Sequence, residues 1–572
     1  LRHNFSLETQ IIESNIDTFS KYLRDHSIEA AYISSFDIFM NEYVPLQECH
    51  RYYFSGFSGS VAEVLVLASG KSLLFVDGRY HEQADIEIKA SNVEVVKCAF
   101  GSSLFEELLK KVSELNISSL WMNGDRSSLG SYEALEKIID AITIQNDEAI
   151  FNIVKFQEFS KDATLTCVSN VISAKDKVAK ILNDSEAFWI SALDSISWIT
   201  NLRGYGLPFQ SSFMARCLVK RDGISLAVPT HYEVNEMEDF ISIDKMNLKN
   251  FSKDCSLEGI ETIFYDPQLI NLTDYQQLEK RVGKDQLVAK AMGITKAHAV
   301  KTADEIKLMK DAFRAGDKSI IETLRWVRDS FNKGESISEV DIFHKTTHFY
   351  EANGSKEQSF GTISGLGANS SIIHYSSPSK DVIAKDSMIL LLDSGGYFEA
   401  GFATDTTRTI FLGNGEASEK QKLIYTLVLK GMLQAQYAVF PKGTWGSQID
   451  ALARSPILRA GFNYAHGTGH GVGINVHEGG LRFSPTSSIG LELGNVGSIE
   501  PGIYLPGFGG VRLENIVTVV EHPEHKDLLC FEPLVYIGFD HKLINFDLLE
   551  ECEKKWLKDY ESECEKRGTL YS

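Results

Sequence analysis

"MILLLDSGGYFEAGFATDTTRTIFLG", residues 388–413, decides the fold of the C-terminal half of this chain. It begins with an apolar run of the kind found in a buried strand and delivers Asp393 at the end of that run. It then turns through glycines and returns along a second strand carrying Asp405. A carboxylate ending an apolar run needs a partner, because burying it bare is very costly. Asp393 and Asp405 stand twelve positions apart, so the spacing predicts a hairpin whose loop leaves both carboxylates at one end. A slip of one residue would turn Asp405 to the opposite face. Threonines flank it on both sides, so no neighbouring carboxylate stands ready to replace it.

Further along, "YAHGTGHGVGINVHEGG" (464–480) holds three histidines and six glycines. The third glycine of a dinucleotide fingerprint is missing, with Val472 in its place. His466 and His470 have the i,i+4 spacing of a zinc-protease helix, but each of the glycines around them costs a helix about 1 kcal/mol. The segment therefore reads as extended, with His466 and His470 facing one side. The proline after Glu500 in "SIEPG" holds that glutamate extended. In "VRLENIVTVV", period-two alternation places Arg512 and Glu514 on one face of a strand. Taken singly, these are a turn aspartate, a surface glutamate and a cross-strand ion pair. Together Asp393, Asp405, His470, Glu500 and Glu514 bring four carboxylates and one imidazole. That set would carry about −4, which two bridging divalent cations would balance. Oxygen-rich ligation suits Mn²⁺ better than a thiolate zinc site, with Zn²⁺ or Co²⁺ as alternatives.

The bulk composition narrows the function classes. A chain of 572 residues exceeds one core, and 43% hydrophobic and 24% charged residues are ordinary for a soluble globular protein. The net charge of −21 excludes a nucleic-acid partner, which would need a basic surface. The eight cysteines form no C-x-x-C pair, so reduced thiols in a cytoplasmic compartment are expected. "LRHNFSLETQ" carries no apolar signal core, and no apolar run spans a bilayer, so no membrane partner is expected.

Two stretches of the first half look alike: "YLRDHSIEAAYISSFDIF" (22–39) and "ILNDSEAFWISALDSISW" (181–198). Each gives a helix end, a polar break, an apolar strand and then Asp37 or Asp194, which are 157 positions apart. Two related α/β domains in tandem are expected. Beyond them, Thr302 and Glu305 match a capping box opening a long amphipathic helix. Glycine-rich strands follow, giving an α+β domain, and "LLEECEKKWLKDYESECEKRG" reads as an exposed C-terminal helix.

At these residues the chain resembles the pita-bread metallopeptidases, and within them the three-domain Xaa-Pro aminopeptidases (aminopeptidase P). "FSGFSGS" and "LLFVDGRYHEQAD" resemble their first domain, and "LDSISWITNLRG" their second. "IIHYSS", "DTTRT", "HGTGHGVG", "VHEGG", "IEPGIY" and "GVRLEN" resemble their catalytic domain. The resemblance covers nearly the whole chain. It implies a creatinase-like α/β domain over 1–156, a second over 157–293, and a catalytic pita-bread α+β domain with a helical tail over 294–572.

The resemblance also implies roles. Asp393 would bind one metal, Asp405 and Glu514 would bridge two, and His470 and Glu500 would complete the other's shell. Glu500 would act as general base to a shared hydroxide, and His477 would assist proton transfer near the scissile bond. His374 and His466 would line the substrate cavity near the proline subsite, and Arg512 would orient Asp393. The implied reaction removes the first residue from a peptide with proline second, in a homodimer. The Asp393–Asp405 spacing is one residue longer than the family's usual eleven, which lengthens the hairpin loop. A prolidase restricted to Xaa-Pro dipeptides, or a metal-free pita-bread protein that only binds partners, are the alternative readings.

Overall fold

The computed structural model describes residues 5–157 and 159–571. Residues 1 and 572, the outer limits of the expected domains, therefore lie outside the described residues. The chain forms two compact units, 1–208 with 212–294, and 209–211 with 295–572.

The first unit contains two six-stranded sheets. The first comprises β1 (Ala30–Ile33), β2 (Glu63–Leu67), β3 (Ser72–Val76), β4 (Val93–Lys97), β5 (Ser119–Asn123) and β6 (Ala141–Gln145), in the order β4-β3-β2-β1-β5-β6. The second comprises β7 (Glu186–Ile190), β8 (Arg216–Lys220), β9 (Gly223–Val228), β10 (Ile241–Lys245), β11 (Thr262–Tyr265) and β12 (Leu287–Ala289), in the order β10-β9-β8-β7-β11-β12. Both orders are 4-3-2-1-5-6. In both, strands 1–2 and 2–3 pair antiparallel, while 3–4, 1–5 and 5–6 pair parallel. The internal likeness read from the sequence is thus a repeated topology. The helix Thr9–Asp25 buries Ile12, Ile16, Phe19 and Leu23, a helical stripe, against the first sheet's core. Between the two halves, Arg216 Nη2 and Asn271 Nδ2 both donate to the carbonyl of Ile38.

The second unit is α+β. The helix Ala303–Asn332 starts at the capping box, with Thr302 Oγ1 accepting from Glu305 N and Glu305 Oε2 accepting from Thr302 N. A three-stranded antiparallel sheet follows, in the order β13 (Ile363–Leu366), β14 (Met388–Ser394), β15 (Thr406–Leu412). The larger sheet contains β16 (Val439–Pro441), β17 (Gly469–Gly471), β18 (Glu478–Phe483), β19 (Val496–Ile499), β22 (Asn515–Glu521) and β23 (Leu528–Pro533). Its order is β16-β23-β22-β19-β17-β18, and β20 (Gly502–Leu505) and β21 (Gly509–Arg512) form a separate ribbon. The helices Glu419–Gln436, Gly446–Arg459 and Glu551–Arg567 share one apolar core with these strands.

Two expectations need correction. The C-terminal helix is not simply exposed: Leu557, Tyr560 and Cys564 recur at near-helical intervals and bury one face in that core. Arg512 and Glu514 do not lie on one strand either. β21 ends at Arg512 and β22 begins at Asn515, because the chain changes pairing partner between them.

Candidate active site

β14 and β15 run antiparallel with Asp393 opposite Thr407. Cross-strand partners share a face, so Asp393 and Thr407 point the same way, and Asp405 stands immediately before β15. Residues 395–405 connect the two strands. Asp405 Oδ2 lies 3.5 Å from His470 Nε2, which also stands 3.2 Å from Glu500 Oε1. Asp405, His470 and Glu514 offer ligand atoms that all lie within 4.8 Å of one another.

The histidine segment is not a helix, as its glycines require: it is a strand only over Gly469–Gly471 and bends over 473–477. β17 lies between β18 and β19, and at Gly469 a Cβ would collide with the carbonyl of Ser498. His470 N donates to Ser498 Oγ, which in turn donates to Glu500 Oε1 at 3.0 Å. Glu500 N donates to Thr468 O at 2.7 Å, fastening the two segments together. From the helix below, Asp450 Oδ1 accepts from Thr468 Oγ1, and Arg454 donates to the carbonyls of Tyr464 and His466.

Arg512 organises the other side. Its Nη2 donates to Asp393 Oδ2 at 2.6 Å, its Nε to Thr407 Oγ1 at 3.1 Å, and its Nη1 to Tyr504 OH at 2.9 Å and Ile373 O at 3.3 Å. The Tyr504 hydroxyl also meets His466 Nε2 at 2.9 Å. His374 follows Ile373 directly, and Tyr375 packs in a small apolar cluster beside Tyr504. The ring of His477 stands 4.4 Å from that of His470, edge to face. Asp393, Asp405, His466, His470, His477, Glu500, Arg512 and Glu514 thus gather in one neighbourhood, which His374 joins through the backbone of Ile373. Thr407, Tyr504 and Ser498 escaped the reading of the sequence. Thr407 carried a signal, sitting two residues beyond Asp405, whereas Tyr504 and Ser498 carried none.

The electrostatics of this cluster are strained. Burial raises the pKa of Asp405 far above the ordinary carboxylate range, and the facing Glu514, Asp393 and Glu500 raise it further. Burial likewise lifts Glu514, with Glu500 and Asp393 adding repulsion. Asp393 is raised by burial although Arg512 opposes the shift. Glu500 differs: burial resists its ionisation, but the bond and charge of His470 bring it down to about 2. His466 is lowered to about 4, chiefly by burial, and is neutral near pH 7. Asp393 Oδ1 and Glu514 Oε1 are buried with no hydrogen-bond partner. Crowded carboxylates with orphaned, inward oxygens and one imidazole are the donor set of hard-to-borderline divalent cations, so the residues present fit such ions.

Comparison with known proteins agrees with this geometry. Residues 307–521 match the model of metallopeptidase family M24, while 16–153 and 167–305 match creatinase/prolidase N-terminal domains. The chain is 30% identical over 605 residues to "Probable Xaa-Pro aminopeptidase P" of Ajellomyces capsulatus, covering 96% of this chain and 94% of that one. It is 29% identical over 598 residues to "Aminopeptidase P2" of Arabidopsis thaliana, covering 94% and 82%. In fold it is similar to the crystal structure of X-prolyl aminopeptidase from Caenorhabditis elegans, described as a cytosolic enzyme with a di-nuclear active site. That similarity has a TM-score of 0.86 at 22% identity and covers 98% of this chain and 96% of that one. With two creatinase-type domains preceding an M24 domain, and with relatives aligned almost end to end, the chain belongs to the Xaa-Pro aminopeptidase P family of metallopeptidases.

Proposed function

We propose that this chain is a metal-dependent aminopeptidase that hydrolyses the N-terminal Xaa-Pro bond of peptides. The observation that carries the reading is the convergence of Asp405, His470 and Glu514 within 4.8 Å, with Asp393 and Glu500 alongside. Asp393, Asp405, His470, Glu500 and Glu514 would hold two divalent cations, Mn²⁺ by preference of the oxygen-rich donor set, with Zn²⁺ or Co²⁺ as alternatives. When bound, such a pair supplies Lewis acidity that polarises the scissile carbonyl and lowers the pKa of water.

The protein's own groups then have defined tasks. Glu500 is ionised, so its carboxylate can take the proton as water oxygen bonds to the carbonyl carbon. The same proton is delivered to the proline nitrogen as the C–N bond breaks; that nitrogen carries no hydrogen in the peptide and must gain one to leave. His477, whose ring stands edge to face with that of His470, would assist this proton transfer near the scissile bond. His466 is neutral and tied to Tyr504, so it would meet substrate as a polar, uncharged partner, with His374 and Arg512 as further substrate contacts.

The division into 1–156, 157–293 and 294–572 is retained, supported by the two repeated sheets and by the cap at Thr302. A homodimer in the cytoplasm completes the reading. Eight unpaired cysteines support the compartment, and no helix among the described residues is long and apolar enough to cross a membrane. The test is hydrolysis of an Xaa-Pro-Xaa tripeptide after chelation and Mn²⁺ add-back, beside Asp405→Ala. Restored cleavage that the variant lacks supports the reading. Cleavage confined to Xaa-Pro dipeptides would make the chain a prolidase, and no bound metal with no turnover would make it a binding protein.

A further inference from the structure

Glu478 follows His477, yet its carboxylate turns away from the site into a buried cluster of its own. Lys301 Nζ donates to Glu478 Oε2 and, at 2.6 Å, to the carbonyl of His298, while His298 Nδ1 bonds Glu478 Oε1 at 2.9 Å. All three side chains are at most 2% exposed. Ion pairs this deep are poor stabilisers, since desolvation consumes the Coulombic gain and apolar side chains of equal volume often pack as well. Stability alone is therefore a weak reason for these residues to sit here.

Their location supplies a better one. The Glu478 carboxylate fills the space against Gly473, where a Cβ has no room. The turn 472–477 thus wraps over this carboxylate, with Gly473 N donating to Asn475 O at 3.0 Å. The carbonyl of Gly473 accepts from Ala403 N at 2.8 Å, two residues before Asp405. One end of the turn joins His470, and the other carries His477, whose ring contacts that of His470. The buried carboxylate therefore underlies the backbone linking both histidines, and that backbone is bonded at Gly473 to Ala403, just ahead of Asp405.

We propose that the Lys301–Glu478 pair, completed by His298, is a positioning device that fixes the turn 472–477 and thereby the imidazole of His477. This rests on the aminopeptidase reading, in which His477 meets the substrate. Lys301 and Glu478 touch no reacting atom; they act through the turn.

The test compares full-length wild type with Lys301→Met/Glu478→Met, which removes both buried charges together, and with Lys301→Arg, which keeps the pair. In the double variant kcat on an Xaa-Pro-Xaa peptide is expected to fall about tenfold or more, as small misplacements do, with KM and Mn²⁺ content near wild type. Lys301→Arg should retain most of kcat. Amide exchange across 472–477 should quicken by about tenfold or more in the double variant, with or without metal. Unchanged kcat and unchanged exchange would overturn the proposal and leave the cluster as packing alone. If the double variant fails to fold, Glu478→Asp, which withdraws the carboxylate from Gly473, is read by the same two measurements. Should wild type cleave no Xaa-Pro peptide, the functional reading fails, and the exchange of 472–477 by itself decides the positioning.

Discussion

The hydroxyl of Thr407 donates to Glu514 Oε2 at 2.9 Å while accepting from Arg512 Nε at 3.1 Å. One small side chain therefore commits one oxygen of Glu514 and leaves Oε1 without a protein partner. Arg512 does the same for Asp393, holding Oδ2 and leaving Oδ1. Thr407→Val keeps the shape and removes the hydroxyl. Partners that orient ligands are worth about 10- to 100-fold in metal affinity, so Mn²⁺ binding should weaken by about that factor. Isothermal titration of chelated protein checks this, and an unchanged Kd would show that Glu514 is held by other means.

Arg512 offsets the charge of Asp393 in the absence of cations, so its loss should show first in the chelated protein. Breaking a buried pair by removing one partner costs about 3–5 kcal/mol, because the remaining charge is uncompensated. Arg512→Met should lower the Tm of chelated enzyme sharply, and Mn²⁺ should recover most of the loss. Melting curves with and without Mn²⁺ measure both effects. Equal losses in the two states would mean that packing, not charge, is what Arg512 contributes.

Much of this site could be read from the sequence because strand periodicity is a local rule. The apolar run ending at Asp393, the glycines around His470 and the proline after Glu500 each constrain their own few residues. The repeated sheets were likewise legible, since Asp37 and Asp194 close matching local units. What escaped depends on distant pairing. Arg512 and Glu514 were assigned to one strand because alternation cannot reveal that the chain leaves β20 and joins β19 between them. Lys301 and Glu478 meet across 177 positions, and neither neighbourhood announces the other. The C-terminal helix looked exposed because its charged residues outnumber the buried Leu557, Tyr560 and Cys564.

Metal removal should make stability depend on pH in a definite direction. Asp405, Glu514 and Asp393 all have folded pKa values raised above those of the unfolded chain. A raised carboxyl pKa means that the native state holds its protons more tightly. Its stability is fully present below the unfolded pKa, near ~4, and is lost as pH rises through the higher folded value. Chelated enzyme should therefore lose Tm progressively above about pH 4. Bound cations compete with those protons, so the Tm gain from Mn²⁺ should widen as pH rises. A gain independent of pH between 5 and 8, measured by differential scanning fluorimetry, would contradict the crowding of these three carboxyls (~3 protons at most).

Asp317 offers a test away from the metal site. It lies on the helix Ala303–Asn332, accepts from Tyr536 N at 2.8 Å through Oδ2, and leaves Oδ1 buried without a partner. Burial raises its pKa to about 7, against the pull of the Tyr536 amide and of Arg408. The unfolded chain releases this proton near pH ~3.9, so the native state is penalised increasingly from there up to about pH 7, by as much as ~4 kcal/mol. Asp317→Asn keeps an oxygen for Tyr536 N and has no charge to bury. The variant should match wild type near pH 4 and exceed its Tm by several degrees at pH 7.5, in metal-loaded protein where the carboxylate cluster does not contribute. Parallel pH profiles for the two proteins would show instead that Asp317 ionises in the native state at no cost, through a compensating partner such as Arg408.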